Sequence, residues 1–373
     1  MPDKPITLAI DARTASDHFP GIGRVVCSLA QAWAHNPRIQ RLHVISNPAR
    51  QNTYHTLPTA SERVVHHVLD DVPGSFAEGQ QLRHLTNALA VDWVYLPYLL
   101  VPWGHFRART LVTIHDVIPL TTPHSPWQTR LGYLFALRLA ATRATRLTTV
   151  SAAAAQHIAP FVWPHRPPAV IPNGVDERFF IPSSDDAPYR THAPYALCVS
   201  SNQPHKNLAA LVQAWHRLAD TLALGPTATL IIAGHINPTR AQPWRTPVPC
   251  KYPIIHVGSP SDAQLGALYQ HAQLVVQPSV AEGYGLPVLE ALASGAPVLC
   301  HDLPVYHATA GAAAVAVDLH HPADIATAVA SLWHDAPRRA QLRQDGPIQA
   351  RHADWNVSAG LLLDIMQKNT SCQ

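Results

Sequence analysis

Charge is scarce in this 373-residue chain: Asp, Glu, Lys and Arg make up 14% of it, against 47% hydrophobic residues. That balance excludes a disordered chain and supplies enough apolar surface for two ordinary domains. The formal net charge is only +3, with 17 Lys and Arg against 13 Asp and Glu in residues 1–190 and 10 against 11 beyond them. No nucleic-acid footprint is present. The mild basic bias of the first half suits an anionic acceptor or an anionic membrane surface. Cysteine is sparse too, five residues widely spaced with no C-x-x-C, so neither a disulfide framework nor a thiolate zinc site is indicated. The longest uncharged apolar run, Trp93 to Trp103, is too short to span a bilayer and is broken by Pro97 and Pro102. The first residues, MPDKPITLAIDAR, lack a signal-peptide pattern. The expected location is cytoplasmic, at most peripheral at the cytoplasmic face of the inner membrane. Histidine is abundant, 24 residues, but His66-His67 and His320-His321 are neighbours without helical metal-ligand spacing. Solvated histidines, with no metal and no cofactor, are expected.

What is present is organised around residues 277–297, QPSVAEGYGLPVLEALASGAP. Leu274-Val275-Val276 reads as a buried parallel strand that Pro278 and Ser279 end. Gly283 and Gly285 permit backbone geometry that a Cβ forbids and let a ligand approach the main chain. Pro287 suits the start of a helix, Gly295 its C-terminal cap, and Pro297 prevents continuation. The helix N-terminus turns free N–H groups and partial positive charge toward the glycine loop, which makes an anion site. Glu282 lies in the loop and Glu290 one turn into the helix. Helical spacing would already put them roughly 12 Å apart along the axis, too far for a retaining glycosidase pair. Each carboxylate is therefore expected to take a different part of one ligand, as an acid takes ribose hydroxyls in dinucleotide folds. Phosphate plus polyhydroxyl recognition points to a nucleotide-sugar.

The rest alternates strands and helices, which implies parallel sheets. Ile6–Ile10 leads to Gly21-Ile22-Gly23, a glycine pair short of a dinucleotide fingerprint because Val26 stands where a third glycine would be. Leu111–Ile114 ends in His115-Asp116, where open α/β sheets collect functional side chains. Residues 128–147 read as a helix punctuated by Arg130, Arg138, Arg143 and Arg146, with Leu131, Leu134, Phe135 and Leu139 as its packed face. The proline-rich stretch 181–194 reads as a linker. After the strand Tyr195–Val199, Lys206 precedes a helix beginning near Asn207, and its charge would add to the helix dipole on a phosphate. Residues 354–366 form an amphipathic terminal helix.

Glu282 and Glu290 form an E-x7-E pattern, and AEGYGLPVLEALASGAPV resembles the retaining GT-B glycosyltransferases of family 4. The likeness extends over nearly the whole chain, through His115-Asp116, Asn173-Gly174 and the Lys206 loop. It implies an α/β GT-B fold of two Rossmann-like doubly wound domains with the donor in the interdomain cleft. The domains would be 1–180 for the acceptor and 195–351 for the nucleotide-sugar, joined by linker 181–194, with 352–373 crossing back. By the same resemblance Gly21 and Gly23 lie against the donor diphosphate, and His115 binds the donor sugar. Lys206 and the N–H groups around Gly285 to Pro287, the proline itself lacking a donor, stabilise the departing diphosphate; Gly283, Tyr284 and Leu286 complete the donor site, Glu282 positions the sugar, and Glu290 holds ribose. Catalytic roles thus fall to His115, Lys206 and Glu282. The chain departs from the family where Ser200 replaces a glycine, where an arginine is missing from the Lys206 loop, and where Val305 replaces an acid. The implied reaction is hexosyl transfer with retention, mannose from GDP-mannose being the donor favoured. The acceptor would be a glycan or polyprenyl-diphosphate-linked oligosaccharide in bacterial surface polysaccharide synthesis. UDP-glucose or dTDP-rhamnose as donor, or a non-catalytic nucleotide-sugar-binding subunit, are the alternatives.

Overall fold

The computed structural model describes residues 4–15, 20–50, 56–70, 76–102, 104–122, 125–162, 167–182, 194–245 and 250–368. The chain divides into two compact units, Met1–Gly174 with Asp354–Gln373, and Val175–Ala353.

Among the described residues, the first unit holds a seven-stranded parallel sheet. Its strands are β1 (Ile6–Asp11), β2 (Ile39–Ser46), β3 (Val64–Val68), β4 (Trp93–Leu96), β5 (Arg109–Ile114), β6 (Arg146–Thr149) and β7 (Ala169–Val170). They lie in the order β3-β2-β1-β4-β5-β6-β7. Helices α1 (Pro20–His35), α2 (Phe76–Ala88), α3 (Ile118–Thr121), α4 (Trp127–Arg143) and α5 (Ala152–Val162) make the crossovers. Covering both faces is why β1, β4 and β5 are nearly continuous buried runs rather than alternating ones.

The second unit repeats the plan with β8 (Tyr195–Val199), β9 (Thr229–Ala233), β10 (Ile254–His256), β11 (Leu274–Gln277), β12 (Val298–His301) and β13 (Val315–Val317). Its helices are α6 (Leu208–Asp220), α7 (Asp262–His271), α8 (Leu286–Ala293), α9 (Pro304–Ala310), α10 (Pro322–His334) and α11 (Ala336–Ala350). The order β10-β9-β8-β11-β12-β13 is the doubly wound arrangement in which the direction of winding reverses between β8 and β11. Ligands of such sheets bind beyond the strand ends at that reversal.

The chain returns to the first unit in α12 (Trp355–Gln367), which packs on α1. The Trp33 indole donates to Ala359 O at 3.2 Å, and the Arg38 guanidinium meets Asp364 at 2.8 Å. The division falls at Gly174, six residues before the expected limit at 180. Glu177–Phe180 belongs to the second unit because Phe179 is buried against Tyr269 and Arg178 pairs with Asp262 at 2.7 Å. Of the expected linker, residues 183–193 lie outside the described residues.

Inside the first unit the His43 and His67 rings meet across β2 and β3, Nδ1 to Nε2 at 2.8 Å. Burial, together with the neighbouring His67 and Arg41 charges, lowers His43 from 6.5 to about 4, and burial lowers His67 as well. The unfolded chain therefore binds more protons than the folded one between pH 6.5 and 4, so stability should fall on acidification through that window. His43, 5% exposed, should alone remove ~2 kcal/mol at pH 5 relative to neutral pH. Urea melts of the protein and of His43→Gln at pH 7 and pH 5 check this; equal pH sensitivity in the two would refute it.

Candidate functional site

The reversal between β8 and β11 is tied shut by Gln277, whose side-chain amide donates to Val199 O at 3.1 Å. Beyond it the β11 loop and the turn after β8 are clamped together, Val280 N donating to His205 O at 2.8 Å. Lys206 occupies a 3-10 turn, Pro204–Lys206, and not the helix start itself. Asn207 intervenes in the left-handed region at φ 55°, held there by its side chain bonding Leu319 O.

That turn delivers the Lys206 ammonium to Glu282, Nζ to Oε1 at 2.7 Å, with both side chains largely buried. The Tyr306 hydroxyl, on α9, donates to the same oxygen at 3.3 Å. Burial alone would raise the Glu282 carboxyl, but Lys206, aided by His205 and Ser279, holds it below the usual carboxylate range. Glu282 is thus an anion and Lys206 its cation. Burial and the Glu282 charge push the Tyr306 phenol well above its ordinary value, so it stays a neutral donor. Burial and Lys206 lower His205 to about 4, so it too is neutral. Ser279, fully buried, influences Glu282 and Tyr306, yet its hydroxyl reaches no partner at hydrogen-bonding geometry.

Gly285 caps α8 at φ +90°, and a Cβ there would meet Tyr306 Cε1 at 2.6 Å. Both the backbone region and the ring demand glycine. Pro287 falls in the first turn of α8, and Val288 and Leu289 donate back to Gly285 O at 3.0 and 3.2 Å. The amides of Gly285 and Leu286 donate to no protein group among the described residues. Next to them Thr309 donates to Tyr284 O at 3.2 Å, fixing the loop after Gly283. Glu290 lies on the inner side of α8, 4% exposed, where the Tyr269 hydroxyl reaches its Oε2 at 3.3 Å. Ser200 stands where a glycine was expected, and Gly234 makes the room instead. A Cβ on Gly234 would lie 2.4 Å from Ser200 O.

In the first unit His115 follows β5 directly, half-buried, with Nε2 2.8 Å from Pro97 O. Burial lowers it to about 4 against the effect of that bond. A neutral ring donating to a carbonyl carries its proton on Nε2, so Nδ1 is left as an acceptor. Asp116, two residues before α3, accepts from Ile118 N at 2.9 Å. Gly21 and Gly23 lie in the first turn of α1 and not in a loop, and a Cβ on Gly21 would meet nothing within 4 Å. Pro20, with its fixed φ, opens the helix ahead of them.

Lys206 and Glu282 are thus brought together, while Tyr306, Ser279 and Tyr269 are neighbours that motif reading overlooked. One trio of described residues, His301, Asp318 and His320, has metal-ligand chemistry. His301 Nδ1 accepts the Leu319 amide at 2.9 Å and His320 Nδ1 meets Asp318 at 2.8 Å.

Two doubly wound units on one chain constitute the GT-B architecture. Residues 20–179 match the family model described as Glycosyltransferase Family 4, and residues 183–349 that described as Glycosyl transferases group 1. The chain is 28% identical over 198 residues to the O-antigen chain mannosyltransferase RfbU of Salmonella typhimurium, covering 52% of this chain and 53% of that protein. It is 28% identical over 225 residues to the D-inositol 3-phosphate glycosyltransferase of Corynebacterium efficiens, covering 55% and 52%. The matched stretches span about half the length of these curated relatives. Sucrose-phosphate synthase from Thermosynechococcus elongatus shares the fold at TM-score 0.75 and 17% identity, over 97% of this chain and 98% of that one. The chain belongs to the GT-B glycosyltransferases.

Proposed function

We propose that this protein transfers a hexosyl group, with retention, from a nucleotide-diphospho-sugar to a glycan or a lipid-linked glycan of bacterial surface polysaccharide synthesis. The observation that carries this reading is the buried Lys206–Glu282 pair at the β8–β11 reversal, beside the open amides of Gly285 and Leu286. A departing diphosphate would draw Lys206 and those amides to itself, preorganised charge being the largest lever on such a transition state. Glu282, freed of part of its partner, would hold the donor sugar with Tyr306 steadying it. His115 would offer neutral Nδ1 to a sugar hydroxyl, and Glu290 would take ribose hydroxyls. No step is assigned to a metal.

Mannose from GDP-mannose is the donor favoured, in line with relatives named as mannosyltransferases. The D-inositol 3-phosphate glycosyltransferases among the relatives keep other donors in the test. Thermal melting with GDP, UDP, dTDP and ADP discriminates. A nucleotide at ~100 times its dissociation constant should add about 2.7 kcal/mol of stability. A shift with GDP alone supports the mannose reading, and one with UDP or dTDP alone replaces the donor. No shift with any of them sinks the nucleotide-sugar reading.

Glu290→Ala should weaken binding of the preferred nucleotide at least tenfold by calorimetry, about 1.4 kcal/mol or more. Tyr269→Phe, which spares the carboxylate, should leave affinity within a few-fold. A Glu290→Ala variant that melts lower but binds the nucleotide normally would make Glu290 a core residue only.

A further inference from the structure

The loop after β9 brings to the site a cation that no motif connects with it. In the second sheet β8 lies between β9 and β11, all parallel, so the loops leaving these three strands sit side by side. The β11 loop carries Glu282, and the one from β8 carries Lys206. From β9 comes a turn, Asn237 to Ala241, laced to the β8 loop by the buried Asn202. Asn202 Oδ1 accepts Asn237 N at 2.9 Å, and its Nδ2 donates to Asn237 O at 2.9 Å and to Ala241 O at 3.2 Å. Within the turn Asn237 Oδ1 accepts from both N and Oγ1 of Thr239, and Arg240 N donates to Asn237 O at 3.2 Å. The backbone that carries Arg240 is therefore pinned. Its side chain is exposed and makes no hydrogen bond or ion pair among the described residues. No aspartate or glutamate stands between Asp220 and Asp262 to pair it within its own segment.

Lys206 is held 2.7 Å from Glu282, so the pair offers no net charge to an incoming diphosphate, which carries more than one negative charge. The Lys206 loop has no arginine of its own, Ser200 to Asn207 reading SSNQPHKN. We propose that Arg240 is the second cation of the donor site and grips the terminal phosphate of a nucleoside diphosphate, the group that leaves when the sugar is transferred. The inference rests on the nucleotide-sugar reading above. Arg240 is close enough for its charge to act, with those of Lys206 and Glu282, on the His205 ring next to Lys206. A guanidinium suits the role, since its planar fork bonds two phosphate oxygens at once where an ammonium acts as a point charge. The fixed turn places its Cα, and the side chain has only water to give up on taking the phosphate.

Calorimetry on the full chain tests this with the diphosphate and the monophosphate of whichever base raises the melting temperature. R240A should lose about tenfold or more in affinity for the diphosphate, the worth of one charge-assisted contact, and less than about threefold for the monophosphate. Its diphosphate affinity should also fall less steeply with salt. Its melting temperature without ligand should be that of the unmodified protein, because the side chain has no protein partner to lose. R245A removes an exposed arginine from the same loop and should leave both affinities within about threefold. N202A, which unties the turn, should weaken the diphosphate too, and N202A/R240A should bind it no more weakly than R240A alone. R240A losing both nucleotides equally, or losing no more than R245A, overturns the assignment. Additive losses in N202A/R240A overturn the positioning of Arg240 by Asn202. If the unmodified protein binds no nucleotide, the inference falls with the sugar-transfer reading. If it binds the diphosphate and R240A binds it as well, the inference alone falls.

Discussion

Lys206→Ala should lower kcat by about 10²–10³ for the nucleotide-sugar that the protein uses, the loss typical of one preorganised electrostatic stabiliser. The same change should destabilise the second unit at neutral pH, because it strands Glu282. That carboxylate is held below its ordinary range chiefly by the Lys206 ammonium, working against burial. With side chains only 19% and 10% exposed, the pair is a buried one. Removing one partner of a buried pair typically costs ~3–5 kcal/mol, because the other charge is left without compensation. The sign with pH follows. A depressed carboxyl contributes stability above its unfolded value, and that stability is lost as pH falls through the folded value. The gap in melting temperature between the protein and Lys206→Ala should therefore be wide at pH 7 and narrow toward pH 4. Glu282→Gln added to Lys206→Ala removes the stranded charge, so the double variant should recover melting temperature without recovering turnover. Turnover by Lys206→Ala within a few-fold of normal would remove Lys206 from diphosphate stabilisation. A double variant no more stable than the single would mean that the pair is not what makes Lys206→Ala unstable.

Both residues are visible in the sequence as parts of separate motifs, yet their contact is not, because they lie 76 positions apart. It arises from the strand order, which sets β8 beside β11 and so brings the two loops together. Local pattern carries the strands well where a β-branched run is followed by glycine or proline, as at Leu274–Gln277. It fails at β4. Trp93–Leu96 merges with Tyr98–Val101 into one apolar run, and only the fold shows that Pro97 ends a central strand and lends its carbonyl to His115. Periodicity fails differently at α4. Leucines and aromatics occur all round that helix, so a period of 3.6 defines faces without saying which one turns inward. Leu131 and Phe135 accordingly look like core and are not. Gly21 and Gly23 read as a loop because they follow a first strand, whereas the preceding proline opens the helix early enough to absorb both. Tyr306, a lone aromatic in a loop-to-helix segment, carries no motif at all. Its place against Glu282 and Gly285 is a product of tertiary packing.

Gly174→Ala should lower the melting temperature of the first unit by ~6–12 °C, although the change adds a single methyl group. Gly174 does not need a left-handed backbone; what it needs is space. A Cβ there would sit 2.3 Å from Trp355 N and 2.7 Å from the Asp354 carbonyl carbon. These are backbone atoms at the start of α12, so no rotamer change relieves the collision. Insertions that side chains can absorb cost about 1–3 kcal/mol, and this one should reach ~3 kcal/mol or more. At roughly 2–4 °C per kcal/mol for a unit of this size, that gives the stated shift. The alternative to strain is displacement of the helix start, which is costly in its own way. Asp354 caps α12 through Asn356 N at 2.7 Å, and Ser358 Oγ donates to Pro172 O at 2.6 Å. Trp355, Leu362 and Leu363 are buried there, each worth about 1.5–3 kcal/mol relative to exposure. Gly21→Ala in the same unit is the matched control. Its Cβ meets open space in the first turn of α1, so alanine should leave the melting temperature unchanged or raise it slightly. Melting followed by circular dichroism, with proteolysis near residue 354 as a local probe, separates the cases. Equal melting of Gly174→Ala and Gly21→Ala, with no new cleavage, would mean that the start of α12 yields freely. The docking of that helix would then contribute little to the first unit.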